Sequence, residues 1–211
     1  FQQAWLLSMI GILDAQMGNP RSVYQAVVTM GYDAEIVSHA KLSERYSHLI
    51  LPGVGSFQQV MSSKKVSTVK KEIQKFADSG RPVLGICLGM HLLSDWGEEG
   101  GGACGLELVP GRVERLPGDI LLPHVGWNTV NFVMDHPVFQ GVKNGIDCYF
   151  VHSYHFACES SEHVYGRSNY GTDFVSIVGL DNVLGFQFHP EKSQKNGLKL
   201  IENFCRWNGS C

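Results

Sequence analysis

One short segment restricts what this chain can fold into more than any other: Val83-Leu84-Gly85-Ile86-Cys87-Leu88-Gly89-Met90 sets a cysteine between an apolar strand and an apparent helix, with a glycine two residues to either side. A sharp strand-to-helix turn needs that pattern, because small neighbours let the chain bend while the side chain at the apex projects from a strained position. Unsatisfied N–H groups at the start of a helix favour a thiolate and can also hold an oxyanion. Taken alone, G-x-C-x-G is equally the setting of a small core cysteine, so the decision rests on whether a base appears elsewhere.

The surrounding rhythm suits such a turn. Ser8 to Asp14 is an apolar run, followed by Gly18-Asn19-Pro20, in which Asn19 suits a helix cap and Pro20 the first helical position. Val23, Ala26, Val27 and Met30 then share one helical face, and Gly31 supplies the stop. Ala34 to Val37 and Leu49 to Leu51 read as short buried strands, Thr68 to Ser79 as a helix ending at Gly80, and Pro82 to Ile86 as the next strand. This βαβα order predicts an α/β fold: a central, mostly parallel sheet flanked by helices on both faces.

After about Gly105 the pattern changes to β-type segments at Arg112–Leu116, Val125–Val130, Cys148–Tyr154, Val164–Asn169, Phe174–Leu180 and Leu184–Phe188. These are expected to extend the sheet with antiparallel strands or to form a small second sheet. Gln194 to Trp207 puts Leu198, Ile201, Phe204 and Cys205 on one helical face that would dock on the sheet.

Composition narrows the classes. At 211 residues with a net charge of −3, the chain suits one well-buried domain, expected over residues 9–207, with 1–8 an expression remnant or short extension and 208–211 a tail. The basic stretch Lys64, Lys65, Lys70 and Lys71 also carries Glu72 and reads as a solvated helix face, so no nucleic-acid partner is expected. No apolar run approaches the roughly 20 residues that cross a bilayer, so a membrane partner is not expected either. Six cysteines without a C-x-x-C pair indicate reduced thiols in a cytoplasmic protein, and His124, His136 and His163 read as hydrogen-bonding or surface residues, so neither metal nor organic cofactor is expected.

A base does appear. Gly185-Phe186-Gln187-Phe188-His189-Pro190-Glu191 reads as a strand running to the sheet edge. In extended geometry His189 and Glu191 would face the same way, the imidazole taking up and returning a proton while the carboxylate fixes its tautomer. With this pair in place, Leu51-Pro52-Gly53-Val54-Gly55-Ser56-Phe57, Gly85 to Leu93, Pro123 to Asn128, Tyr149 to Tyr154 and His189-Pro190-Glu191-Lys192-Ser193 together resemble the class I glutamine amidotransferases. The P-G-V-G-x-F loop favours, among them, the glutaminase subunits of imidazole glycerol phosphate synthase.

That resemblance implies the doubly wound class I glutaminase fold and a triad of Cys87, His189 and Glu191, with main-chain N–H groups of Val54 and Leu88 as oxyanion donors. It implies that Gly55, His91, Glu99, His152, Ser153 and Tyr154 hold glutamine, and that Asn19, Trp127 and Lys192 lie near the surface meeting a cyclase partner in a heterodimer. Two positions depart from the family pattern: His91 stands where glutamine is usual, bringing fewer hydrogen bonds and a possible charge, and Asp14-Ala15-Gln16-Met17-Gly18-Asn19-Pro20 replaces D-Y-G-M-G-N-L. Alternatives are a paralogous glutaminase feeding another synthase, such as one that amidates a sugar, and a pseudoenzyme that regulates a synthase.

Overall fold

The computed structural model describes residues 9–14, 20–37 and 45–210. The expected Asn19 cap lies outside them. Pro20 does open the first helix, α1 (Pro20–Thr29), between strands β1 (Met9–Leu13) and β2 (Ala34–Val37). Val23, Ala26 and Val27 are buried as their spacing predicts, and Gly31 turns the chain at a φ of 87°. β3 (Tyr46–Gly53) is followed by a one-turn helix α2 (Phe57–Met61) that the sequence reading did not foresee, and by α3 (Lys64–Asp78).

Helix α3 begins four residues earlier than its apolar spacing suggested, because Ser63 caps it by accepting from the Val66 N–H at 3.2 Å. Its basic face is not merely solvated: Lys70 donates to the Gly105 carbonyl at 2.8 Å and pairs with Glu107 at 3.1 Å. Next come β4 (Val83–Cys87), the short helix α4 (Leu88–Leu92), β5 (Trp96–Gly97), β6 (Ala103–Cys104) and β7 (Gly111–Arg115). The remaining strands are β8 (His124–Phe132), β9 (Ile146–His152), β10 (Tyr154–Cys158), β11 (Val164–Asn169), β12 (Asp173–Leu180) and β13 (Val183–Phe186), and α5 (Gln194–Arg206) ends the fold. The stretch expected as one strand over Cys148–Tyr154 is broken at Ser153, whose flanks pair with different neighbours.

The sheet runs β2-β1-β3-β4-β13-β12-β10-β7-β5-β6. From β2 to β13 every pairing is parallel; β12 then pairs antiparallel with β13 and begins an extension that is antiparallel except between β5 and β7, and to which β8, β9 and β11 are attached. Burial on both faces follows from alternation along the parallel strands. Leu49 and Leu51 join the core beneath α2, α3 and α4, whereas Ile50 joins the core beneath α1 and α5. On α5 the buried face includes Gly197, Leu200, Ile201, Phe204 and Cys205, and Leu198, expected on that face, is only partly buried against the core.

The parallel strands and α4 meet at unusually short range. A Cβ on Gly89 would collide with the Leu51 carbonyl oxygen, one on Gly85 with the Gly89 carbonyl oxygen, and one on Gly53 would lie 2.8 Å from the Gly89 nitrogen. Gly89→Ala therefore has no room on a backbone that cannot yield, and it should destabilise the fold by about 3 kcal/mol or more; urea denaturation of the two proteins measures this, and a loss below about 1 kcal/mol would show that α4 can move away from β3.

Candidate active site

Cys87 ends β4 and caps α4 with φ 54° and ψ −111°, a conformation outside the ordinary wells of an L residue. The glycine contacts described above hold it there: β3 pairs Gly53 with Cys87 in register, and α4 presses on both strands. The result is the strand-to-helix apex that the sequence predicts. The thiol is not freely exposed, however; Cys87 is only 6% accessible, and its sulfur lies 3.7 Å from the Val151 carbonyl oxygen of β9. It lines a cleft of about 280 Å³ together with Val54, Gly55, Leu88, His91, Glu99, Pro123, Val151, His152, Ser153 and Tyr154.

His189 and Glu191 meet, but not by extended alternation. β13 ends at Phe186, and Pro190–Lys192 forms a single 3-10 turn in which Pro190, with its fixed φ, occupies the first position. The turn brings the Glu191 Oε1 to 2.8 Å from the His189 Nδ1, with both side chains about 95% buried (4% and 5% exposed). Ser193, quoted in the H-P-E-K-S motif without a role, fixes this turn: its hydroxyl donates to the His189 carbonyl at 2.6 Å and accepts from the Tyr149 N–H at 3.0 Å. The His189 N–H in turn donates to the Tyr149 carbonyl at 2.9 Å, so the pair is anchored to the strand carrying Val151.

Burial would lower the His189 pKa, but the neighbouring Cys87 sulfur and the Glu191 carboxylate outweigh it and raise it to about 9. The second ring nitrogen, Nε2, is buried without a direct hydrogen bond. An imidazole held in one orientation by Glu191, with its second nitrogen beside a thiol, has the arrangement needed to carry a proton.

The other histidines of the cleft behave oppositely. His91 does line it, as one helical turn from Cys87 predicts, yet burial lowers its pKa to about 4, so the charge that the sequence allowed for is absent at neutral pH. Its Nε2 lies 2.7 Å from the Gln187 Oε1, which makes that nitrogen the protonated one in the neutral ring. His152 is likewise pushed down to about 3 by burial. Its Nδ1 donates to the Tyr154 carbonyl at 2.8 Å, its Nε2 accepts from the His124 Nδ1 at 2.9 Å, and the His124 Nε2 accepts from the Asn128 Nδ2 at 3.3 Å. From sequence His124 reads only as a surface or hydrogen-bonding histidine; its place in the same short motif as Asn128 is the available signal.

Trp127 is half exposed, edge-on to Tyr149 at 6.1 Å, and the Lys192 ammonium lies 5.9 Å from the same ring, so two of the three expected interface residues share one surface. Asn19 lies outside the described residues. No group of three or more potential metal ligands occurs among the described residues.

Residues 11–207 match the family described as glutamine amidotransferase class-I. Imidazole glycerol phosphate synthase subunit HisH of Desulfitobacterium hafniense is 45% identical over 199 residues, which cover 94% of each chain. The subunit of the same name from Methanocaldococcus jannaschii is 44% identical over 199 residues, covering 93% of this chain and 98% of the relative. Among solved structures, that of PurLQS from Thermotoga maritima superposes with a TM-score of 0.76 at 17% identity, covering 95% of this chain and 99% of the other. A glutamine amidotransferase superposes at 0.73 with 20% identity over 94% and 99%. These structural likenesses carry the fold alone.

Since the folded-state pKa of His189 is raised, the stability contributed by its protonated ring is complete below about pH 6.5 and is lost as pH rises through about 9. NMR titration should find the His189 ring protonated well above pH 6.5, and Cys87→Ala and Glu191→Gln should each lower the midpoint because burial is then less opposed. A wild-type midpoint at or below 6.5 would show that neither neighbour governs the ring.

Proposed function

That this chain belongs to the class I glutamine amidotransferases is the premise from which we propose its reaction: hydrolysis of the glutamine side-chain amide, with the ammonia delivered to a cyclase subunit for imidazole glycerol phosphate formation in histidine biosynthesis. The observation that carries this reading is the buried imidazole–carboxylate pair set against Cys87, which itself lines a cleft of about 280 Å³, a size suited to one amino acid.

The Cys87 thiolate attacks the amide carbon, and the carbonyl oxygen becomes an oxyanion that accepts from the main-chain N–H groups of Leu88 and Val54. His189, protonated at Nε2, gives that proton to the departing nitrogen as the C–N bond breaks, so ammonia leaves and a thioester remains. Water then attacks the thioester while His189 takes its proton; the C–S bond breaks, glutamate is released, and the thiolate and the protonated ring are both restored. Glu191 keeps Nδ1 protonated throughout and steadies the charged ring. Gly55, His91, Glu99, His152, Ser153 and Tyr154 hold the amino-acid end of the substrate, a role supported by their place around the cleft.

The subunit name of the relatives supports a two-chain enzyme, and we assign this chain to a cytoplasmic heterodimer. Among the described residues no helix is long and apolar enough to cross a membrane. The surface that carries the exposed Trp127 and Lys192 around the partly buried Tyr149 is assigned to the cyclase contact, and Asn19 is assigned there from family likeness alone. The intact triad favours this reading over a regulatory pseudoenzyme, and the same subunit name favours it over a sugar-amidating paralogue.

Glutamate release is to be measured with the chain alone, with the cyclase, and with the cyclase and its nucleotide ligand. Cys87→Ala should reduce turnover by at least about 10³-fold while the thermal transition persists; full turnover by that variant would remove the nucleophile assignment, and absence of binding to the cyclase would transfer the chain to another synthase. His91→Gln should change KM more than kcat, and because the wild-type ring is neutral, kcat/KM should show no step between pH 5 and 8 that this substitution removes.

A further inference from the structure

The segment that carries the Val54 N–H is fixed at both ends. At its start, Gly53 is paired with Cys87 and pressed against Leu88 and Gly89. At its end, the fully buried Phe57 opens α2. Only Val54, Gly55 and Ser56 lie between, with Val54 half exposed and Gly55 at a φ of 117°.

The way in which α2 is capped is unusual. Ser56 occupies the cap position, where a serine hydroxyl ordinarily accepts from an N–H of the first turn, but its side chain makes no such bond. The Phe57 N–H donates instead to the Glu99 Oε2 at 2.8 Å, across the sequence from another turn. That turn, Glu99–Gly101, sits directly on the start of α2: a Cβ on Gly100 would come within 3.0 Å of the Gln58 Cβ and 3.2 Å of the Ser56 Oγ. Gly97 lies against the Phe57 ring just before it. Glu99 is also the one acidic residue among those lining the cleft. One oxygen of its carboxylate thus holds the end of the Val54 segment, and the other is left for a cation in the cleft.

Building on the reaction proposed above, we propose that Glu99 is a positioning residue for the oxyanion as well as an anchor for the substrate: the glutamine α-ammonium on Oε1 and the Phe57 N–H on Oε2 share one carboxylate, so that binding of the amino group fixes the far end of the segment presenting the Val54 N–H. A rigid carboxylate transmits position because its two oxygens cannot move independently. Recognition of an amino acid at one end of the substrate then sharpens the geometry at the amide carbon at the other. The coupling acts on kcat, since a reacting group displaced by about 1 Å can lose 10²-fold in rate.

The test uses the full chain with its cyclase and two substrates, glutamine and glutaramate, the same amide without the α-amino group. In the wild type, glutaramate should show a kcat at least about 10-fold below that of glutamine at saturation, not merely a higher KM. Glu99→Gln retains an oxygen that accepts from the Phe57 N–H but loses the charge; for glutamine its KM should rise about 10-fold or more while kcat falls far less than in Glu99→Ala. Glu99→Ala removes both bonds and should lower kcat for both substrates by about 10- to 100-fold. Equal kcat values for the two substrates in the wild type, or a Glu99→Ala variant changed in KM alone, would overturn the coupling while leaving Cys87-dependent glutamine hydrolysis in place. Should Glu99→Ala fail to fold, the wild-type comparison and Glu99→Gln decide the matter. Absence of glutamine hydrolysis in the wild type would overturn the coupling together with the reaction on which it rests.

Discussion

The architecture of the site depends on one steric constraint, the contact of backbone with backbone between β3, β4 and α4. Gly53, Gly85 and Gly89 remove the side chains that would separate these elements, and the space they give up is taken by carbonyl and amide groups of neighbouring segments. The positive φ of Cys87 is stable only because the close-packed sheet and helix leave it no alternative. The same contact that strains the cysteine also holds it still, so its direction is set by the fold rather than by the side chain's own preferences.

Around this fixed point, burial acts in two directions. His91 and His152 lie among uncharged groups, and desolvation keeps both neutral. His189 is buried to a similar degree, yet a carboxylate and a thiol beside it reverse the outcome. Side chains of one chemical type therefore divide, through their partners alone, into a charged ring suited to be a proton carrier and neutral hydrogen-bonding groups. The Ser193 hydroxyl, by joining the His189 turn to β9, sets the distance between the carrier and the wall that faces it.

Much of this was legible in the sequence where it depends on local pattern. The G-x-C-x-G apex, the buried parallel strands and the apolar face of α1 follow from periodicity and from the size of glycine, and the structure places them as read. What was not legible depends on contacts between distant residues. The helix α2 is too short to show a period and takes its cap from Glu99, 42 residues further on. His189 and Glu191 were rightly paired but for the wrong geometric reason, since spacing of two suits a strand and a proline-led turn equally. The neutrality of His91 could not be read because burial belongs to the tertiary environment, and the hydrogen bond to Gln187 joins positions 96 residues apart.

The chain of hydrogen bonds running from the Tyr154 carbonyl through His152 and His124 to Asn128 has every proton assigned, and neither ring carries charge. With His91 also neutral, Glu99 is the one charged side chain among the cleft-lining residues beside the cysteine. Glutamine enters with no net charge, but glutamate leaves with an additional carboxylate at the end that faced the amide site. The protonated ring of His189, beside Cys87, is the cationic partner at that end, whereas the neutral rings of His91 and His152 offer that carboxylate no positive charge. Electrostatic hold on the acid made there thus rests on one proton, that of His189, and falls away once the ring gives it up.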